Sequence, residues 1–285
     1  MLLPLADKRT KCPLVAGQER AIFKLYSRIS TNRDEWLYGR DENNLAKKVR
    51  CFLQLYDRVS PAVTDFPDTI KWSETLKRRK RAGKRRGFET ARVRRAAYRP
   101  FLNILLYQSP LLVDRPGLSE AVFPPGRENF AICFNDVGSR TDYCVLAVPN
   151  LADLHFVAAV DAYQQAPRYS YSNGQRMDNI TDWALGQFRD HYADTGRKRP
   201  ISKDAIFQSV YAVLQDPIYR ETYALNLKKE FPRMPFYANF LRWAEWGKRL
   251  WRCTSATRPS SPGPCAESTR RTRARARPAW HRGRY

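Results

Sequence analysis

The 285-residue chain has no apolar run of about 18 residues or more, so no membrane-spanning helix is expected and a membrane is not an expected partner. Its six cysteines, at 12, 51, 133, 144, 253 and 265, form no CxxC pair, and there are only three histidines, His155, His191 and His281. A structural zinc site needs closely spaced ligands, so none is expected, and the cysteines read as reduced, buried thiols of a cytoplasmic protein. The opening MLLPLADKRTK reaches charge too soon for a secretory signal. Asp190, His191 and Asp194 offer no metal or acid–base site, because neighbours i and i+1 do not share a helix face. The pair Glu35–Trp36 and the scattered aspartates form no catalytic constellation either.

What the chain has is positive charge, in two places. The formal net charge is +23. From Lys71 to Arg99 there are thirteen Lys/Arg against Glu74 and Glu89, and from Arg252 to Tyr285 nine Arg against Glu267. These stretches carry +11 and +8, so the remainder is close to neutral, as an ordinary globular domain would be. A localised basic stripe suits a polyanion. Nucleic acid is the first reading of the charge, with an anionic membrane or an acidic protein second. With 43% hydrophobic residues, most of the chain is able to bury a core.

The pattern along the chain predicts an α+β fold: a β-rich recognition part with flanking helices, followed by a C-terminal helical bundle. Residues 18–58 read as two helices around a short strand or turn. Leu45, Val49, Phe52, Leu53 and Tyr56 make the stripe of an amphipathic helix, and Asp41 stands where a cap belongs. Residues 60–70 read as a loop and 71–86 as a basic helix; FETARVRRAAYRP reads as helix or strand up to Pro100. FLNILLY, FAICF, YCVLAV and LHFVAAV (154–160) read as strands, with NDVGSR as a hairpin-like loop and PRYSYSNGQR (167–176) as a turn-rich segment. From 179 onward the reading is helical, with Thr181 and Ser202 as N-caps and Pro217 in a first turn. Phe231–Pro232 ends a helix, and a last helix is expected over Phe236–Trp251. The resulting domain expectation is 1–60 as a helical N-terminal segment, 61–178 as the basic helix with the β-rich part, 179–251 as the helical bundle, and 252–285 as an Arg-rich tail. The tail has two readings: a flexible nucleic-acid arm, or a disordered extension translated out of frame.

Several segments together carry a resemblance. They are QERAIFKLYS, TNRDEW, IKWSETLKR, YRPF, ENFAICF with GSR, LADLHF, NITDWAL, the run IFQSVYAVLQDPIYRETYALNLKKEFPRMPF and the closing WAEWGKRL. Over residues 1–251 the chain resembles the C-terminal specificity region of single-polypeptide, Type I-like restriction-modification enzymes (Type ISP), and the tail does not. The resemblance implies a module that recognises a specific double-stranded DNA sequence. The parent family joins it to an adenine-N6 methyltransferase, an ATP-dependent motor and an endonuclease, which use S-adenosylmethionine, ATP and Mg. This chain has no Gly-x-x-x-x-Gly-Lys-Ser/Thr loop, no Asn/Asp-Pro-Pro-Tyr tetrapeptide and no cofactor-binding glycine motif. No cofactor and no catalysis are therefore expected of it alone, and separately encoded methyltransferase or helicase portions are candidate partners. The alternatives are a non-specific nucleic-acid-binding protein and an inactive truncated remnant of the enzyme.

For such a module the phosphate-contact candidates are Lys77, Arg78, Arg79, Lys80, Arg81, Lys84, Arg85 and Arg86, extended by Arg92, Arg94, Arg95 and Arg99. Charge that points all round a helix is not expected to bury. Base reading needs bidentate side chains on a supported loop. The polar loops 135–143 and 164–176 supply Asn135, Ser139, Arg140, Gln164, Arg168, Tyr169 and Arg176. The aromatics of 179–250 are expected to be core.

Overall fold

The computed structural model describes residues 2–6, 20–193 and 200–255. The elements run β1 (Leu2–Pro4), α1 (Asp34–Leu37), β2 (Tyr38–Gly39), α2 (Glu42–Arg58), α3 (Glu74–Arg81), a 3-10 turn at Thr90–Arg92, β3 (Val93–Arg99), β4 (Leu102–Tyr107), α4 (Ser119–Val122), β5 (Ala131–Asn135), β6 (Val145–Val148), β7 (Leu151–Ala152), β8 (Tyr163–Pro167), β9 (Tyr169–Ser172), β10 (Gln175–Asp178), α5 (Asp182–His191), α6 (Lys203–Gln215), α7 (Pro217–Thr222), α8 (Ala224–Lys229), β11 (Arg233–Pro235) and α9 (Phe240–Ser255). The class is mixed α+β, with small sheets in the orders β2-β4-β3-β7 and β6-β5-β8 and the two-stranded pairs β1-β11 and β9-β10.

Two hydrophobic cores support these elements. One packs the apolar stripe of α2 (Leu45, Val49, Phe52, Tyr56) under the sheet that holds Ala96, Leu106 and Leu151. The helix begins where the Asp41 carboxylate accepts the Asn44 N–H, an N-cap that satisfies a donor with no intrahelical partner. The other core joins Leu3 and Phe23 from the N-terminal part, Ile132 and Phe134 of β5, and the inward faces of α5, α6 and α9. The helices after residue 179 are therefore not a self-contained bundle. They share their core with a sheet and with chain from the N-terminal part, because α6 alone buries apolar residues on most of its circumference. Gly247 makes the α6–α9 approach possible, since a Cβ at that position would overlap the Gln208 carbonyl of α6.

Local signals set many boundaries as expected. Thr181 and Ser202 each accept an N–H of their helix's first turn, and Pro217 opens α7. Elsewhere tertiary structure prevailed. LHFVAAV is not a strand: Asp161 N–H closes a turn on the Ala158 carbonyl, Val160 is exposed, and both edges of β5 are already occupied by β6 and β8. The basic helix stops at Arg81, because Gly83 adopts a φ of 65° that breaks it. VRRAAYR becomes β3, with a bulge between Ala97 and Arg99. The last helix starts four residues later than expected, at Phe240. Both cores draw on chain from both sides of position 60, and the core shared with the late helices also from both sides of position 178.

Candidate nucleic-acid interface

The basic segment divides into buried and exposed cations. Lys80 is fully buried, with Nζ 4.4 Å from the centre of the Tyr56 ring and no hydrogen-bond acceptor. Burial lowers its pKa, and the geometry withdraws it from the phosphate-contact set. Arg79 is also turned inward, donating to the Leu111 and Val113 carbonyls at 2.9 and 2.7 Å. Arg92 pairs with Glu89 at 3.0 Å and Glu120 at 3.2 Å, Arg94 reaches the Phe123 carbonyl, and Arg99 pairs with buried Asp153 at 3.1 Å. Lys77 is half-spoken for by Glu74 at 2.8 Å. Arg78, Arg81, Lys84, Arg85, Arg86 and Arg95 are exposed. The break at Gly83 turns the Lys84–Arg86 stretch into an extended, solvated run, which the Tyr56 hydroxyl holds by its bond to the Lys84 carbonyl.

The two polar loops singled out by sequence leave opposite ends of β5. Ala131 pairs with Pro167 and Asn135 with Tyr163, so the β9–β10 hairpin departs near one end and loop 136–144 from the other. Four strand rises put these ends about 14 Å apart. The structure does not bring the seven candidate base readers together.

In loop 136–144 the polar groups face inward. Asn135 is buried, donating to Ser139 at 2.7 Å and accepting the Cys144 N–H at 2.6 Å. Gln164 is buried and donates to Asp136 at 2.8 Å. The hub is Asp161, which accepts bonds from Ser139 Oγ at 2.7 Å, Arg140 N at 3.0 Å and Thr141 N at 2.8 Å. Burial alone would raise this carboxyl, but the hydrogen bonds from Thr141, Arg140 and Ser139 outweigh it and hold its pKa well below the carboxylate range. Asn135, Ser139 and Gln164 are thus structural rather than displayed. Of the candidates on this loop only Arg140 is exposed, its head against the Val160 carbonyl; Asp142 beside it is exposed too.

The hairpin is built the other way. Its base is fixed and its tip is free. Arg168, expected to read bases, is buried and pairs with Asp178 and Asp204, both at 2.6 Å. Lys203 extends the network to Asp182 at 2.7 Å. Asn129 clamps the first strand, accepting from Tyr169 N at 3.1 Å and donating to Tyr169 O at 2.7 Å and Val122 O at 2.6 Å. Arg94 of β3 bonds the Phe123 carbonyl and Asn129 the neighbouring Val122 carbonyl, so the basic strand and the hairpin hold the same stretch of backbone. Asn173 and Gly174 close the turn with φ of 50° and 77°, the pair of positive values that a tight two-residue hairpin needs. Residues 172–177 are exposed, and the Arg176 guanidinium lies over the Tyr169 ring at 4.5 Å. Asn173 and Gln175, absent from the sequence-based set, sit at this tip. The Asn-Gly dipeptide between two polar strands was the signal that placed them there.

The arrangement is an exposed basic run beside a hairpin with a solvent-facing polar tip, and comparison with known proteins gives its family. The model of the Type ISP C-terminal specificity domain matches residues 21–280. The chain belongs to this family. The match begins later than the resemblance read from sequence and continues past Trp251, so most of the Arg-rich tail falls inside it; residues 256–285 lie outside the described residues. No curated protein sequence matches the chain. Among solved structures, a cryo-electron microscopy structure of a DrdV–DNA complex is 41% identical, with a TM-score of 0.79, over 89% of this chain and 25% of that one. A nuclease-deletion mutant of the Type ISP restriction-modification enzyme LlaGI, in complex with a DNA substrate mimic, is 26% identical (TM-score 0.70) over 90% of this chain and 19% of that one. The ATP-dependent Type ISP restriction-modification enzyme LlaBIII bound to DNA shares the fold at 20% identity, with a TM-score of 0.76, over 89% of this chain and 17% of that one. The chain thus spans a quarter or less of the length of these neighbours.

Two further expectations meet the structure here. Cys51 and Cys253 are exposed, against the reading of all cysteines as buried, whereas Cys133 is buried and burial pushes its thiol well up. His191 stacks on Phe236 with ring centres 4.1 Å apart. No helix among the described residues is long and apolar enough to cross a membrane.

Proposed function

We propose that this chain is the target-recognition module of a Type ISP restriction-modification enzyme and that it binds a specific sequence of double-stranded DNA. The observation that carries this reading is the 41% identity, over 89% of the chain, to a protein captured in complex with DNA. The exposed run Lys84–Arg86 with Arg78, Arg81 and Arg95 supplies the phosphate grip, which gives affinity without sequence choice. Of the sequence-based set, Tyr169 and Arg176 at the β9–β10 hairpin remain as candidates for base contact, whereas Arg140 has its head tied to the Val160 carbonyl.

On this reading the module works in the cytoplasm and holds no cofactor. The methyltransferase, motor and endonuclease, with S-adenosylmethionine, ATP and Mg, belong to the rest of a longer polypeptide or to separately encoded chains. Selection of binding sites from a random duplex pool at about 150 mM salt tests the reading, because non-specific contacts are weak there. A short consensus is the expected outcome. Binding with no consensus would reduce the chain to a non-specific nucleic-acid-binding protein, and no binding at all would make it a remnant.

A further inference from the structure

We infer that the tip of the β9–β10 hairpin is the base-reading ribbon of this module, with Asn173, Gln175 and Arg176 as the residues that choose the sequence. The inference rests on the DNA-recognition reading above and goes beyond it by naming the element and side chains responsible. A two-stranded ribbon is one of the two elements a B-form major groove admits, the groove being about 12 Å wide. This one pairs four residues against four, so it extends about 10 Å beyond its base, comparable with the depth of the groove.

The side chains at the tip have the required chemistry. An amide presents a donor and an acceptor together and matches the N6 and N7 edge of adenine; a guanidinium matches O6 and N7 of guanine. Among the described residues, no hydrogen bond occupies the Asn173 and Gln175 amides, whereas those of Asn129, Asn135, Gln164 and Asn179 are all engaged within the fold. Arg176 lies on the same ribbon face as Tyr169, since it pairs with Tyr171 two residues along that strand, and the ring holds its guanidinium in place.

The base of the ribbon is rigid where the tip is open. Arg168 is tied to two carboxylates, and Asn129 makes paired bonds to both backbone groups of Tyr169. A reading element needs this combination, because a loose support blurs the distinction between a matched and a mismatched base. Loop 136–144 has the reverse design, with its Ser139 hydroxyl and the Arg140 and Thr141 N–H groups spent on Asp161.

Site selection with the full chain and with Asn173→Ala, Gln175→Ala, Arg176→Ala and Arg140→Ala tests the assignment. Each effective hairpin substitution is expected to relax one position of the consensus by about 5- to 150-fold and to leave the salt dependence within about one charge of wild type. Arg176→Lys keeps the charge and loses the fork, so it is expected to relax the same position as Arg176→Ala. Arg140→Ala is expected to keep the consensus. All these positions are exposed, and unchanged melting temperatures would verify folding. A triple hairpin variant that selects the wild-type consensus would overturn the assignment while leaving the DNA-recognition reading intact. A wild-type chain that selects no consensus would overturn both.

Discussion

Two polar segments lie at opposite ends of β5, similar in composition and opposite in build. In loop 136–144 the Ser139 and Thr141 hydroxyls turn inward onto Asp161, and of the sequence-based candidates there only Arg140 is displayed. In the β9–β10 hairpin the ionic contacts are confined to the base, and residues 172–177 face solvent. If the hairpin reads bases as inferred above, polarity and glycine content do not separate a reading loop from a scaffold loop. What separates them is whether the hydrogen-bonding groups are already spent within the fold.

The comparison breaks if disturbing the scaffold loop changes sequence choice. Asp161→Ala leaves the Ser139, Arg140 and Thr141 donors without their acceptor and is expected to destabilise the fold by about 3 kcal/mol in urea titration, with the consensus retained. Because the folded pKa of Asp161 is depressed, its contribution is fully present above the ordinary carboxylate pKa of about 4. It is lost only as pH falls through the lower folded value. Wild type and Asp161→Ala should therefore converge in stability in strong acid, and a gap that widens there would contradict this account.

Arg168→Met tests the other loop. It strands Asp204, leaves Asp178 only Lys203 at 3.7 Å, and is expected to cost about 2 kcal/mol, with faster amide exchange over 169–178 and a blurred consensus. Loss of stability with an unchanged consensus would separate the ion pairs from reading.

A milder contrast lies within the basic segment. Replacing Lys84, Arg85 and Arg86 together by Ala is expected to lower the slope of log affinity against log salt by up to about 2.7, at about 0.9 per contact, with no change in consensus. Lys80→Met is expected to leave that slope alone and to change stability by less than about 1 kcal/mol in either direction. An unpaired buried ammonium gains little from its charge, and Met preserves its length. A reduced salt slope for Lys80→Met, measured by fluorescence anisotropy, would put Lys80 back among the phosphate contacts.

Local physics made part of this fold legible in advance. The α2 stripe, the caps at Asp41, Thr181 and Ser202, the Pro217 start and the Asn-Gly turn each depend on a few adjacent residues. The missed features depend on distant partners. Lys80 is buried because Tyr56 of α2 lies beneath it, Arg168 because Asp204 of α6 meets it, and LHFVAAV is not a strand because β5 has no free edge. The shared core of the late helices is likewise invisible to periodicity, since it needs Leu3 and Phe23 from the far end of the chain. Within the candidate site, the sequence showed two polar loops and a basic run but not which of their groups the fold consumes: Asn135, Gln164 and Arg168, assigned to DNA from sequence, are buried and bonded within the fold.

The most direct test is amide hydrogen exchange of the full chain with and without its selected duplex. Protection is expected at 172–177 and over the Lys84–Arg86 run, with residues 136–144 unchanged. Protection of 136–144 with the hairpin unaltered would contradict the account, because the reading element would then lie at the other end of β5.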